Sequence, residues 1–168
     1  MGVEPVTASN LNLALDLQVA LAQSQGAELP EQAVLEQWVT AALEGQIGEA
    51  ELTIRLVEND ESALLNKQYR DKQGPTNVLS FPFEAPADVP LPLLGDLIIC
   101  VPLVAQEAQE QGKAVRAHWA HLVVHGVLHL RGYDHIDDNE AREMEDLERK
   151  IMAYLGFGDP YMDDDVAQ

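Results

Sequence analysis

All five histidines of this 168-residue chain fall in one short window: His118, His121, His125, His129 and His135. Successive residues of an α-helix are turned by about 100°, so with His125 at zero, His129 lies near +40°, His121 near −40° and His118 near +20°. Four imidazoles therefore share one wedge of about 80°. The rest of Ala114–Leu130 is strongly apolar, with Trp119, Leu122, Val123, Val124, Val127 and Leu128. A helix that is apolar on most of its sides has to sit centrally in a fold. Gly132 ends it, because glycine permits the left-handed residue that reverses the chain, and His135 then comes back.

That pattern has the spacing of a metal site. His125 and His129, four residues apart, lie one above the other and can converge on one ion. A third ligand needs the turn that Gly132 supplies, which makes His135 the third candidate. Three neutral imidazoles leave the fourth tetrahedral position open for water, the plan of a catalytic zinc site. Zinc lowers that water's pKa toward about 7 and polarises a bound oxygen. The spacing H-x3-H-x2-G-x2-H is that of the metzincin proteases, but Gly126 stands where they carry the glutamate base. Metal-assisted hydrolysis of a substrate other than peptide is the expectation. Three imidazoles also suit nickel, copper or iron. His118 and His121 read either as packed, ligand-orienting residues or as direct participants, and Asp134 as ligand-orienting or turn-capping. The acidic run Asp137–Glu148 reads as a solvated helix face, and Asp163–Asp165 as part of a disordered acidic tail over 162–168.

Elsewhere strands come early and helices late. Leu11–Ala22 reads as an opening strand, Pro30–Leu43 as a helix closed by Gly45, Glu51–Val57 as an alternating strand and Glu61–Arg70 as a short helix. Gly74-Pro75 marks a turn, and Pro82 confines the strand Asn77–Phe83 to an edge or an end. Pro86–Pro92 reads as a loop and Gly95–Val101 as a buried strand. Helices are predicted over Pro102–Gly112, Ala114–Leu130 and Asp138–Leu155, the last with Met144, Leu147, Ile151 and Leu155 inward. This order predicts a single α+β domain over 1–168, with a mixed sheet of about four strands, flanking helices and a zincin-like metal site on the central helix.

Composition narrows the function. With 46% apolar and 23% charged residues the chain is globular in type, and no apolar run approaches the ~18 residues of a membrane helix. MGVEPVTASN has neither the basic n-region nor the apolar h-region of a secretory signal, and its sixth position is not the Ser or Thr of a myristoylation site. A lone Cys100 forms no internal disulfide, and a cytoplasmic location is expected. Ten basic residues face 29 acidic ones, a net charge of −19, which disfavours non-specific attraction to polyanions. The charge is uneven: residues 55–131 hold seven bases against nine acids, so any polyanion is handled there.

The motif HGVLHLRGYDH (125–135) resembles the signature of the YbeY family of bacterial endoribonucleases. The resemblance extends to Tyr69-Arg70-x-Lys72-x2-Pro75-Thr76-Asn77-Val78-Leu79-Ser80-Phe81-Pro82, to Leu94-Gly95-Asp96-Leu97-Ile98, to His118-Trp119-Ala120-His121, and to Asp159-Pro160-Tyr161. It implies a zinc-dependent, single-strand-specific endoribonuclease acting in 3′-end maturation of small-subunit ribosomal RNA and in ribosome quality control. It further implies zinc on His125, His129 and His135, and a functional arginine at Arg70. A guanidinium grips phosphate oxygens in a planar, bidentate way, and Arg70 lies beside Lys67 and Lys72 in the near-neutral middle of the chain. Arg70, His121 and Asp134 are the candidates for catalytic work; metal-held water or the RNA 2′-hydroxyl are further candidates for moving protons. Single-stranded ribosomal RNA, the small ribosomal subunit and its assembly proteins are the expected partners of a monomer. Given the charge, the particle or a basic protein would present the RNA. Two other readings stand beside this one: a metallohydrolase of another substrate, and a non-catalytic assembly factor with a structural metal.

Overall fold

The computed structural model describes residues 11–21, 29–45, 48–83, 92–133 and 137–161. Nine elements run in the order β1 (Leu11–Val19), α1 (Gln32–Ala42), β2 (Gly48–Val57), α2 (Asn59–Arg70), β3 (Val78–Pro82), β4 (Leu93–Cys100), α3 (Val101–Gln111), α4 (Val115–Leu130) and α5 (Asp138–Tyr154). Each expected helix and strand is present, with ends moved by at most three residues. The fold is a single α+β domain on one four-stranded mixed sheet, as expected. Most of the Pro86–Pro92 stretch and all of the acidic tail lie outside the described residues.

The sheet order is β1-β2-β4-β3. β1, β2 and β4 run parallel, and β3 runs antiparallel against β4. Alternation along β2 sends Ala50, Leu52, Ile54 and Leu56 into the main core. On the opposite face, Arg55 meets Glu61 of α2 at 2.7 Å. β4 is buried on both faces: Leu97 and Ile99 join the main core, while Ile98 and Cys100 join a second cluster with Val57 and Leu79.

β3 is an edge strand, and its phase decides which backbone groups stay unpaired. Asn77 O accepts from the Cys100 N–H and Phe83 N–H donates to Leu94 O, both at 2.9 Å. Leu79 and Phe81, in the same phase, therefore turn their backbone polar groups toward β4, and Val78, Ser80 and Pro82 turn theirs to the open edge. The N–H that Pro82 lacks would have pointed outward, so the ladder loses nothing.

α4 is the central helix. Trp119, Val123, Val124, Val127 and Leu128 are buried in the main core. The helix lies on the sheet at Gly126, where an added Cβ would stand 2.7 Å from Leu97 Cδ2, itself fully buried. A side chain at 126 would have to displace the buried Leu97 side chain, so glycine rather than the glutamate of the metzincin pattern fits this packing. Gly132 takes φ +103° after the helix, and Tyr133 N–H closes back to Leu128 O at 3.0 Å, the chain-reversing cap expected of it.

Gly95 is the tightest glycine of the sheet. Its φ is +142°, and a Cβ would lie 2.2 Å from the Phe81 carbonyl oxygen of β3. Gly95→Ala should cost about 3 kcal/mol or more, from backbone strain plus displacement of an edge strand. A urea titration with an unchanged midpoint would contradict this.

Candidate active site

A cleft of about 950 Å³ opens between α4 and the free edge of β3. Arg70, Ser80, His121, His125, His129 and Tyr161 are among the side chains that line it. The helical stripe thus does face one space. His125 Nε2 and His129 Nε2 stand 3.2 Å apart, with rings crossing at 82°. Two nitrogens on one tetrahedral zinc, at Zn–N about 2.0–2.1 Å, would be separated by about 3.3–3.4 Å. The separation of the pair is thus close to that of two ligands on one such ion.

The carboxylate behind them comes from α5 and corrects the expectation for the acidic run. Glu148 does not lie on a solvated face; it is fully buried. It accepts from His121 Nε2 at 3.1 Å, from His125 Nδ1, and from the Tyr161 hydroxyl. Burial alone would raise its pKa. The hydrogen bonds from His121, His125 and Tyr161 outweigh burial and hold the carboxyl well below the usual carboxylate range. Burial, with the carboxylate beside it, pushes the Tyr161 phenol above its ordinary value. A carboxylate on Nδ1 fixes the tautomer of His125 and leaves the Nε2 lone pair for a metal, the usual way of orienting a ligand imidazole. One donor atom each from His121, His125 and Glu148 also lie within 4.8 Å of one another, so this group too is positioned to hold an ion.

The turn carrying Tyr161 is pinned at several points. Asp159 Oδ1 accepts from the Tyr161 N–H at 2.8 Å, and the same carboxylate meets Arg149 Nε at 3.1 Å. The Arg149 guanidinium lies 5.1 Å from the Tyr161 ring centroid, and Lys113 Nζ donates to Pro160 O at 3.1 Å. This gives Asp159-Pro160-Tyr161 a physical role: it delivers one hydroxyl to the buried carboxylate. Tyr161→Phe should lose about 1.5–3 kcal/mol, the range for a hydrogen bond to a charged group. Equal urea midpoints for the two proteins would contradict it.

Arg70 ends α2 and is exposed, and its side chain makes no hydrogen bond or ion pair among the described residues. The loop after it is tied to α2, with Asn66 Nδ2 donating to Gly74 O at 2.9 Å and Ser62 Oγ to Thr76 O at 2.7 Å. His118 is buried and meets Glu107 of α3 at 2.9 Å, and Asn77 Nδ2 reaches the same Glu107 oxygen at 3.0 Å. Burial pulls the His118 pKa down, against the Glu107 carboxylate. Both this pairing and that of His121 with Glu148 fit packed, orienting histidines. His135 and Asp134 lie outside the described residues.

Sequence reasoning missed Glu148 and Glu107. A signal for Glu148 existed. It stands four residues after Met144 and three before Ile151, within the apolar stripe of α5. Glu107 has no such signal, since its partners come from α4 and from Asn77, the residue just before β3.

The fold and the cleft together define a class: an α+β domain with a candidate metal site on its central helix, set beside the open edge of a mixed sheet. Residues 19–156 match the family described as Endoribonuclease YbeY, and the chain belongs to that family. This places it among endoribonucleases that act in ribosomal RNA maturation. The solution structure of a protein from Thermotoga maritima is similar, with 23% identity over 88% of this chain and 98% of that one, and a TM-score of 0.54. The two share the fold. Among the described residues no helix is long and apolar enough to cross a membrane.

Proposed function

We propose that this chain is a zinc-dependent endoribonuclease specific for single strands, acting in the cytoplasm as a monomer on the 3′ end of small-subunit ribosomal RNA and in ribosome quality control. The observation that carries the reading is the pair of imidazole nitrogens 3.2 Å apart, with the buried carboxylate of Glu148 behind one of them, in the same cleft as Arg70. His125, His129 and His135 would hold the metal, with Glu148 as the group that orients His125. When bound, zinc supplies Lewis-acid chemistry, polarising a phosphoryl oxygen and lowering the pKa of water.

The remaining work falls to the chain itself. Arg70 holds non-bridging phosphate oxygens through its planar fork and stabilises charge that develops on them. Glu148 fixes the rings of His121 and His125, and Tyr161 fixes Glu148. Of the two side chains expected to move protons, His121 has Nε2 on Glu148 and Nδ1 buried, so it serves in positioning, and Asp134 is left to carry protons to and from the reacting oxygens. The net charge of −19 supports presentation of the RNA by the small subunit or a basic assembly protein. Weak binding of naked RNA with a shallow salt dependence is expected; tight binding with a steep slope would contradict presentation.

Strand specificity is tested with one labelled ribosomal RNA fragment, offered alone and annealed to its complement. The single strand is expected to be cut internally and the duplex left intact. Equal cutting of both would overturn the specificity, and cutting of neither the enzymatic reading.

A further inference from the structure

We propose that Tyr69, braced by Phe81, is a stacking subsite for one unpaired nucleobase of the RNA, adjoining the phosphate grip of Arg70. The inference rests on the proposed endoribonuclease function and adds to it where a base goes. Tyr69 lies on the last turn of α2 and is 59% exposed. A single exposed tyrosine is ordinary. This one is held by a neighbour and open at once. Its ring meets that of Phe81 edge to face, with centroids 5.1 Å apart and planes at 71°. Phe81 is anchored in turn, packed against the buried cluster of Val57, Leu79, Ile98 and Cys100. The order that stacking demands is thus largely in place before a ligand arrives.

Position supports the assignment. Tyr69, Arg70 and Phe81 line the same cleft as His125 and His129. A strand whose phosphate is held by Arg70 can lay a neighbouring base on the next side chain of the helix. Aromatic platforms beside cationic backbone contacts are how proteins hold single strands, because every base offers a π-face whatever its identity. In a duplex those faces are covered by neighbouring base pairs, so the same contact favours single strands. Charge points the same way. At −19, long-range attraction works against RNA, and affinity has to come from short-range contacts such as stacking.

The test uses the full chain loaded with zinc and fluorescence anisotropy. The probe is a labelled 2′-O-methyl oligonucleotide of about 12 nucleotides, beside a strand of equal length whose sugars carry no bases. Tyr69→Ala is expected to bind the base-bearing strand about tenfold more weakly, with an unchanged salt slope. For the abasic strand it should match the wild type. Tyr69→Phe, which keeps the ring, should stay within about twofold of the wild type. Arg70→Ala should instead lower the salt slope by about one. Wild-type binding of the base-bearing strand by Tyr69→Ala would overturn the subsite. So would an equal loss on both strands, the sign of a purely structural effect. The titrations are run at low salt and up to the high protein concentrations that weak binding needs, and a wild-type protein that binds neither strand there would overturn the RNA reading itself, and the subsite with it.

Discussion

Glu148→Gln is expected to bind zinc about 10- to 100-fold more weakly than the wild type, the usual effect of losing the group that orients a ligand imidazole. Three donors converge on this carboxylate, from His121, His125 and Tyr161. Glutamine keeps the volume but replaces one accepting oxygen with an amide that donates, so at least one partner is turned away. Glu148→Ala goes further: it opens a cavity and strands three polar groups, and should cost about 3–5 kcal/mol of stability. Competition with a chelating indicator gives the affinities, and urea unfolding the stabilities. The same assay separates the two overlapping donor sets. If His125, His129 and His135 hold the ion, His129→Ala loses it and His121→Ala keeps most of it; the reverse would move the ion onto His121, His125 and Glu148. Unchanged zinc affinity in Glu148→Gln would remove the carboxylate from the account altogether.

Arg70→Ala should lower kcat/KM for single-stranded RNA by about a hundredfold or more, in line with removing a preorganised donor to a developing oxyanion. Zinc content and unfolding midpoint should stay at wild-type values, since Arg70 is exposed and its side chain bonds to nothing else among the described residues. Arg70→Lys should recover part of the loss, because an ammonium supplies the charge without the bidentate fork. An Arg70→Ala enzyme with wild-type kcat/KM would reduce the residue to an ordinary helix end.

The sequence carried a good deal of this arrangement in readable form, for reasons specific to particular residues. The histidine stripe was legible because helical periodicity is geometric: any chain that makes α4 puts His118, His121, His125 and His129 on one side. The edge position of β3 was legible through Pro82, which lacks a ladder donor. Gly126 was legible as a departure, but its cause was not, because the closeness of Leu97 depends on how α4 settles on β4. Glu148 was misread because acidic neighbours at 143, 145 and 146 hid it among residues that do face water. Its burial is stabilised by three donors from elements distant in sequence, which no local pattern encodes. Arg70 stood out through resemblance more than through its own chemistry, since a cation at a helix C-terminus has an ordinary capping explanation as well.

The central claim, metal-dependent cleavage of single-stranded RNA at the histidine cluster, is tested most directly by one add-back experiment. Protein freed of trace nucleases is assayed on a single-stranded ribosomal RNA fragment as purified, after chelation, and after zinc is restored, with His129→Ala carried through the same steps. The account predicts internal cleavage that disappears with chelation and returns with zinc in the wild type, and no cleavage by His129→Ala at any step. Cleavage of equal extent in all samples would contradict it.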